Sequence, residues 1–497
     1  MPLAAGTGGI NMNSYIVIMS IYFIAMLVIG FLFSKKIKTK TDFYTARDKL
    51  NAAVIGMSYS ATQMSGSSYM GTVGVVRSVG FAFVPSALTS AAAPWFTYIL
   101  VGDRIRKIAA RLQSITLVDI FEARYGKKAS LSACVIMLVA IIPIITAQIK
   151  AAATAFEVLF GIPYVAGIFV FGGIVIIYTM AGGAFAVAWS DLIQGFLMMA
   201  GFAILAPVVL YQAGGFVKMH ELYGQFNPRG LTVTGGMPVL WVISAFFLWG
   251  FFQIGGAPAA VTRFLATSNG NVLRKALVYS ILFQSFIYIT LVLIAFGSGA
   301  LMPDLSPGQS DMALALLIQK YLPPIIGGIV LSAAMAAMMS TVDSVLLLAG
   351  SLFVHNIYNK AMKMETTPKQ DLFIGRVVTF VIAIVSFLIA INPPAAVAWI
   401  IAIGFSLMAA SFTFPMLLGL WWPKMTKTGG LVSILTGAVT CTIWYILSYV
   451  KYNSLSVFIG GIWPAMFGSA FSLVTLIIVS LLTPPIDKET AEIFYKD

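Results

Sequence analysis

Apolar runs of about twenty residues, separated by short polar connections, repeat along the whole chain. A helix needs roughly 20 apolar residues to cross a bilayer. Thirteen segments reach that length: roughly 14–34, 52–76, 81–101, 131–160, 164–183, 190–212, 238–262, 277–299, 322–354, 375–392, 396–422, 430–450 and 456–482. The pattern predicts an all-α integral membrane protein with thirteen transmembrane helices. The first run leads straight into Lys35, Lys36, Lys38 and Lys40, which sets it apart from a cleavable leader. The longest polar stretches are 103–129 and the loop around 213–236, and the tail after Pro485 is too short for an appended domain.

Two of the runs are interrupted. Span 2 carries Ser-Ala-Thr-Gln-Met-Ser-Gly-Ser-Ser-Tyr at 60–69, and span 7 carries Gln253-Ile-Gly255-Gly256-Ala-Pro258. Freed backbone groups persist at membrane depth only where they line a protein cavity. Small residues at either place also serve close helix packing. The pair says more than either break alone: spans 2 and 7 are five apart and open two five-helix halves, and an odd number of spans inverts the second half. Paired breaks of this kind point to a transporter's binding site. The chain then divides into a leading helix with the first loop (1–51), a first repeat (52–236), a second repeat (237–422), and two peripheral helices with a short tail (423–497).

Composition removes the alternatives. Apolar residues make up 60% and charged residues 9%, against roughly 45–50% and about 25% in soluble domains. Of the 30 basic residues, 24 fall on alternate connections and the tail, and five on the opposite set. That bias places the N-terminus outside and the C-terminus on the cytoplasmic side. The net charge of +13 is thus an orientation signal rather than a nucleic-acid surface. Two cysteines and two histidines give no basis for disulfides, a transition metal or an enzyme's acid–base set.

Span 9 holds Ala337, Ser340, Thr341 and Ser344 on one helical face, with Asp343 beside it. Carbonyl, hydroxyl and carboxylate oxygens suit a small hard cation. Isolated hydroxyls in membrane helices usually bond back to their own helix. A mid-membrane carboxylate, at a cost of ~2.5–3.5 kcal/mol or more, calls for a purpose.

These residues resemble the sodium/solute symporter family of proline, pantothenate, sialic acid and sugar symporters. The likeness covers nearly the whole chain and is most specific at 61–66, 182–191, 258–264 and 336–341. Gly161-Ile-Pro-Tyr, Met302-Pro-Asp-Leu, Leu322-Pro-Pro and Asn392-Pro-Pro lean toward the pantothenate members. The resemblance implies a LeuT-type 5+5 inverted repeat with one leading and two trailing helices. It also implies a common Na+ site from the Ala61, Met64 and Ala337 carbonyls with the Ser340 and Thr341 hydroxyls. In some relatives a second cation site lies at positions matching Asp191, Ser340, Asp343 and Ser344. An aspartate at 343, where those relatives place a serine, admits three readings: a stronger second Na+ site, a protonated acid, or an ion pair with a basic residue.

Solute contacts are expected at the breaks, from Ser65, Ser67, Ser68, Tyr69 and Gln253, and from Gln148 and Lys150 of span 4. Lys150 either meets a solute carboxylate, pairs with an acid such as Glu157, or snorkels to an interface. Arg263, just past span 7, is either an inner-gate residue or a plain cytoplasmic rim charge. The expected function is Na+-coupled symport of a small solute, pantothenate or another organic acid, by a monomer in the lipid bilayer. Proline, another amino acid, a sugar or sialic acid is the alternative solute. Proton coupling or uniport on the same scaffold is the alternative class.

Overall fold

The computed structural model describes residues 12–34, 45–255 and 257–496, except for the side chains at 12, 13, 33, 34, 180–182, 251–253 and 368. The described residues form helices and connections, with no β-strand among them. In chain order the helices are α1 (Met12–Ser34), α2 (Ala52–Gln63), α3 (Thr72–Val79), α4 (Val84–Thr97), α5 (Asp103–Leu112), α6 (Leu117–Tyr125) and α7 (Lys127–Phe160). They continue with α8 (Tyr164–Gln212), α9 (Phe216–Phe226), α10 (Val239–Gly255), α11 (Pro258–Leu265), α12 (Gly270–Leu301) and α13 (Ala313–Tyr321). The last are α14 (Pro324–Ser351), α15 (Pro368–Ile391), α16 (Val397–Trp421), α17 (Lys427–Tyr452), α18 (Pro464–Leu482) and α19 (Lys488–Tyr495).

Ten helices among the described residues are long and apolar enough to cross a membrane. The other three predicted segments are shorter pieces, each for a local reason. Segment 52–76 is split into α2, a wide turn at Ser67–Gly71 and α3. Segment 164–183 is the apolar start of α8, Tyr164–Thr179, which ends near a kink where Gly183 takes φ 57° and ψ −178°. Only glycine adopts that backbone readily. Segment 238–262 is divided between α10 and α11, with Pro258 in the first turn of α11, where its missing N–H costs nothing.

Of the ten, the helix that includes α14 is the most buried, and α15 and α17 are the most exposed. α14 packs against α1, α2, α7, α8 and α15. Its sequence explains the position: Ala333, Ala334, Ala336 and Ala337 let neighbours approach, and Met335, Met338 and Met339 fill irregular gaps.

Three basic residues read from sequence as orientation charges also stitch the bundle. Arg77 donates to the carbonyls of Ser298 and Met302 at 2.5 and 2.6 Å, at the end of α12. Arg124 donates to the carbonyls of Gly419 and Met425, and Arg104 to that of Leu420, around the end of α16. The last carbonyls of a helix lack intrahelical donors and carry the negative end of its dipole, so a guanidinium satisfies both needs there.

Candidate ion and solute site at the broken helices

α2 ends because residue 64 turns extended (φ −80°, ψ 121°): the Met64 amide still closes on the carbonyls of Ser60 and Ala61, but there is no further helical turn to supply donors beyond it. α14 supplies partners from the facing helix. Ser340 Oγ donates to the Ala61 carbonyl at 2.9 Å and lies 3.0 Å from that of Ala337. Thr341 Oγ1 lies 2.9 Å from the Met64 carbonyl, 3.1 Å from that of Thr62 and 3.2 Å from that of Ala337. The structure therefore brings Ala61, Met64, Ala337, Ser340 and Thr341 together. The hydroxyls do bond back along their own helix, and they also reach across the break. Thr62, whose carbonyl joins the set, was not singled out from sequence, although it lies inside the 61–66 motif.

The far side of the break is tied down by neighbours. The Gly66 amide donates to Gln148 Oε1 at 2.6 Å. A Cβ on Gly66 would lie 2.6 Å from that of Ala151, so only glycine lets the chain pass this close to α7. Ser65 and Ser68 cap each other: each side-chain oxygen accepts from the other's amide at 3.4 Å. Ser67 is buried, and the Tyr69 ring packs on Phe202 with its hydroxyl unpaired among the described residues. Gln63 Nε2, a buried donor that sequence reasoning passed over, is also unpaired among them. At the second break, Gly255 lies against the carbonyl of Phe412 in α16, where a Cβ would stand 2.5 Å from that oxygen. The side chain of Gln253 lies outside the described residues.

Three expectations from sequence take a different form. Lys150 lies 2.8 Å from Asp311 Oδ2 and 2.8 Å from the Ala395 carbonyl, so its partner is Asp311 rather than Glu157, and it is not a free counter-charge. Asp311 is distant in sequence, which is why spacing along α7 could not find it. Gln148 is engaged with the backbone of the break. Arg263 is no rim residue: 5% exposed, it points into the bundle from α11.

The proposed second-cation residues do not converge. Ser340 belongs to the cluster at the α2 break. Asp343, fully buried, accepts from Thr179 Oγ1 at 2.6 Å. Asp191 and Ser344 meet Arg263 instead. Its Nη2 lies 3.2 Å from Asp191 Oδ2, 2.7 Å from Ser344 Oγ and 3.4 Å from Thr62 Oγ1. Its Nε donates to Ser58 Oγ at 2.6 Å, and Ser58 donates to Asp191 Oδ2 at 2.5 Å.

Two cavities flank the break. One of about 490 Å³ opens at the Asp311 end, lined by Gly71, Gly74, Trp241, Asp311, Trp399 and Phe458. The other, about 20 Å³ and lined by Gln63, Ala257, Pro258, Thr341, Phe405 and Met408, has room for about one water.

A family model described as "Sodium:solute symporter family" matches residues 43–437. The osmoregulated proline transporter OpuE of Bacillus subtilis is 28% identical over 491 residues, which cover 96% of this chain and 97% of the relative. The sodium/pantothenate symporter of Haemophilus influenzae is 27% identical over 434 residues, covering 86% of this chain and 89% of the relative. A solved Na+-coupled sialic acid symporter, substrate-bound and outward-open, shares the fold with a TM-score of 0.79 at 20% identity, over 96% of this chain and 99% of that one.

Proposed function

The chain belongs to the sodium:solute symporter family, and on that premise we propose that it imports a small carboxylate-bearing solute with Na+ by alternating access. Thirteen spans arranged as two inverted five-helix repeats, with the N-terminus outside and the C-terminus in the cytoplasm, are part of this reading. So is a monomer as the working unit.

The observation that carries it is the meeting of Ser340 and Thr341 with the carbonyls of Ala61, Thr62, Met64 and Ala337. Hydroxyls that donate to these carbonyls can turn their lone pairs to a cation, so that several oxygens face one point. Such a set suits a hard alkali ion, which needs no deprotonated ligand. Na+ bound there joins α2 to α14 and fixes the break beside which Gln63 and Tyr69 hold polar groups unpaired among the described residues. Solute binding near these groups, with Na+ in place, lets the halves rock. At the Arg263 end, the ties among α2, α8, α11 and α14 keep the protein shut until then. One charge moving inward gains ~2.3 kcal/mol per 100 mV, about a 50-fold accumulation.

The solute class follows from the relatives' names, proline and pantothenate, and from the solved sialic acid symporter. All three compounds carry a single carboxylate. With Lys150 held by Asp311, neutral donors at the break are the candidates to meet it. The test is the unfolding temperature of purified protein with proline, pantothenate, sialic acid or glucose, in Na+ and in choline. A rise with one acid that requires Na+ is expected. Equal rises in choline mean uniport, and a rise that follows pH instead of Na+ means proton coupling.

A further inference from the structure

Arg263 places a permanent positive charge between Asp191 and Ser344, two of the four residues to which the resemblance assigns a second ion. Besides the Thr262 hydroxyl of its own helix at 3.4 Å, its guanidinium meets one carboxylate and three hydroxyls from other helices: Asp191 of α8, Ser58 and Thr62 of α2, and Ser344 of α14. All four are at most 6% exposed, and Arg263 is 5% exposed. Oxygens of this kind converging from three helices form an alkali-cation pocket in all but occupant. A carboxylate buried this deeply needs a counter-charge, and a guanidinium supplies it at every physiological pH because it does not deprotonate.

We propose that Arg263 is a tethered cation that fills a second ion pocket made by Ser58, Thr62, Asp191 and Ser344, so that the protein binds one Na+ per chain. The inference rests on the Na+ reading above. Asp343 does not restore a second site, since it faces Thr179. Thr62 links the two positions: its carbonyl accepts from Thr341 at 3.1 Å and its hydroxyl lies 2.9 Å from Ser344 Oγ. The tether is carried by α11, which begins at the second break. The second charge therefore travels with a helix of the protein and is never exchanged with either bath. Removing the guanidinium frees the pocket for an ion from solution, and the bound charge rises by one.

Saturation binding of radiolabelled Na+ to the purified full-length protein counts the ions. One Na+ is expected per wild-type chain, two for Arg263→Ala, and one for Arg263→Lys and for Arg263→Ala/Asp191→Asn. In the Ser340→Ala/Thr341→Ala/Arg263→Ala variant one ion should remain, held by the vacated pocket. Two ions on the wild type overturn the proposal, as does a single ion on folded Arg263→Ala. Should Arg263→Ala not fold, the wild-type count decides. No ion on the wild type with one on Arg263→Ala removes the Na+ reading of the hydroxyl pair and leaves the tether standing; none on either removes both.

Discussion

The side-chain oxygen of Gln148 lies 2.6 Å from the Gly66 amide and takes the hydrogen bond that the break after α2 would otherwise leave unmade. A glutamine in the middle of an apolar helix is thereby explained without a solute. An orphaned buried donor costs ~1–3 kcal/mol, so Gln148→Leu should lower the unfolding temperature with no solute present. Gly66→Ala should do the same, by forcing a methyl against Ala151, with overpacking typically costing ~1–3 kcal/mol. A Gln148→Leu protein of unchanged thermal stability that has lost only solute binding would return Gln148 to the solute.

Loss of either hydroxyl of the pair should weaken Na+ more than it weakens the fold. Ser340→Ala removes one ligand and Thr341→Ala another, each worth ~1–3 kcal/mol in a buried setting, or about 5- to 150-fold in apparent Na+ affinity. Titrating Na+ against uptake, or against the unfolding temperature, reads the effect directly. Uptake by the double variant that keeps its wild-type Na+ dependence would place the coupling ion elsewhere.

Ten of the thirteen expected spans and the two breaks were legible because they rest on local properties. Bilayer thickness sets a length, and glycine, serine and proline declare where the ladder fails. The hydroxyl pair was legible because α14 presents Ser340 and Thr341 on a face defined by spacing alone. Lys150 was not, because its partner lies across a long stretch of chain, at Asp311. Arg263 was placed at a rim because the segment count ends span 7 near 262. The kink at Ala257–Pro258 instead starts a new short helix that aims the side chain inward. The roles of Asp191 and Asp343 had to wait for side-chain geometry, since both lie within a turn of suitable hydroxyls.

Lys150 and Asp311 join α7 to the connection before α13 and, through the Val397 amide at 3.0 Å, to the start of α16. Removing one partner strands a mostly buried charge, whereas removing both does not. Lys150→Met and Asp311→Asn should each destabilise, and the double variant should cost less than their sum, with a coupling of ~0.5–3 kcal/mol. Thermal unfolding of the four proteins gives the cycle. Strict additivity, together with a solute affinity lost only in Lys150→Met, would restore the solute role.

At the Arg263 end, Asp119 caps α6 and meets His355, Asn356 and Lys360. Burial opposes ionisation of its carboxyl, but the hydrogen bond and charge of His355, and then those of Lys360, outweigh it and hold the carboxyl below the usual range. A carboxyl that ionises more readily folded than unfolded stabilises above its unfolded pKa, about 3.9. That contribution is lost as pH falls through the folded value. Asp119→Asn should be less stable than the wild type by ~1–3 kcal/mol. The gap should persist from about pH 5 to 8 and close below about pH 4. A gap independent of pH down to 3 would mean that shape rather than charge holds the cap.

Asp343 separates coupling from packing most cleanly. Its described partner is the Thr179 hydroxyl at 2.6 Å, its second oxygen is unpaired among the described residues, and Arg263 is committed to Asp191. An amide oxygen accepts from Thr179 as well as a carboxylate oxygen does, so Asp343→Asn should fold and keep near-wild-type thermal stability. Asp343→Leu leaves the Thr179 hydroxyl buried without its acceptor and should lose ~1–3 kcal/mol. With the fold preserved in Asp343→Asn, uptake reports on the charge alone. Na+-stimulated uptake within a few-fold of wild type is expected, because the hydroxyl pair and the carbonyls of the break do not call on this carboxyl. Uptake reduced to background in a well-folded Asp343→Asn protein would instead make the negative charge, one turn along α14 from Ser340, part of the ion's binding.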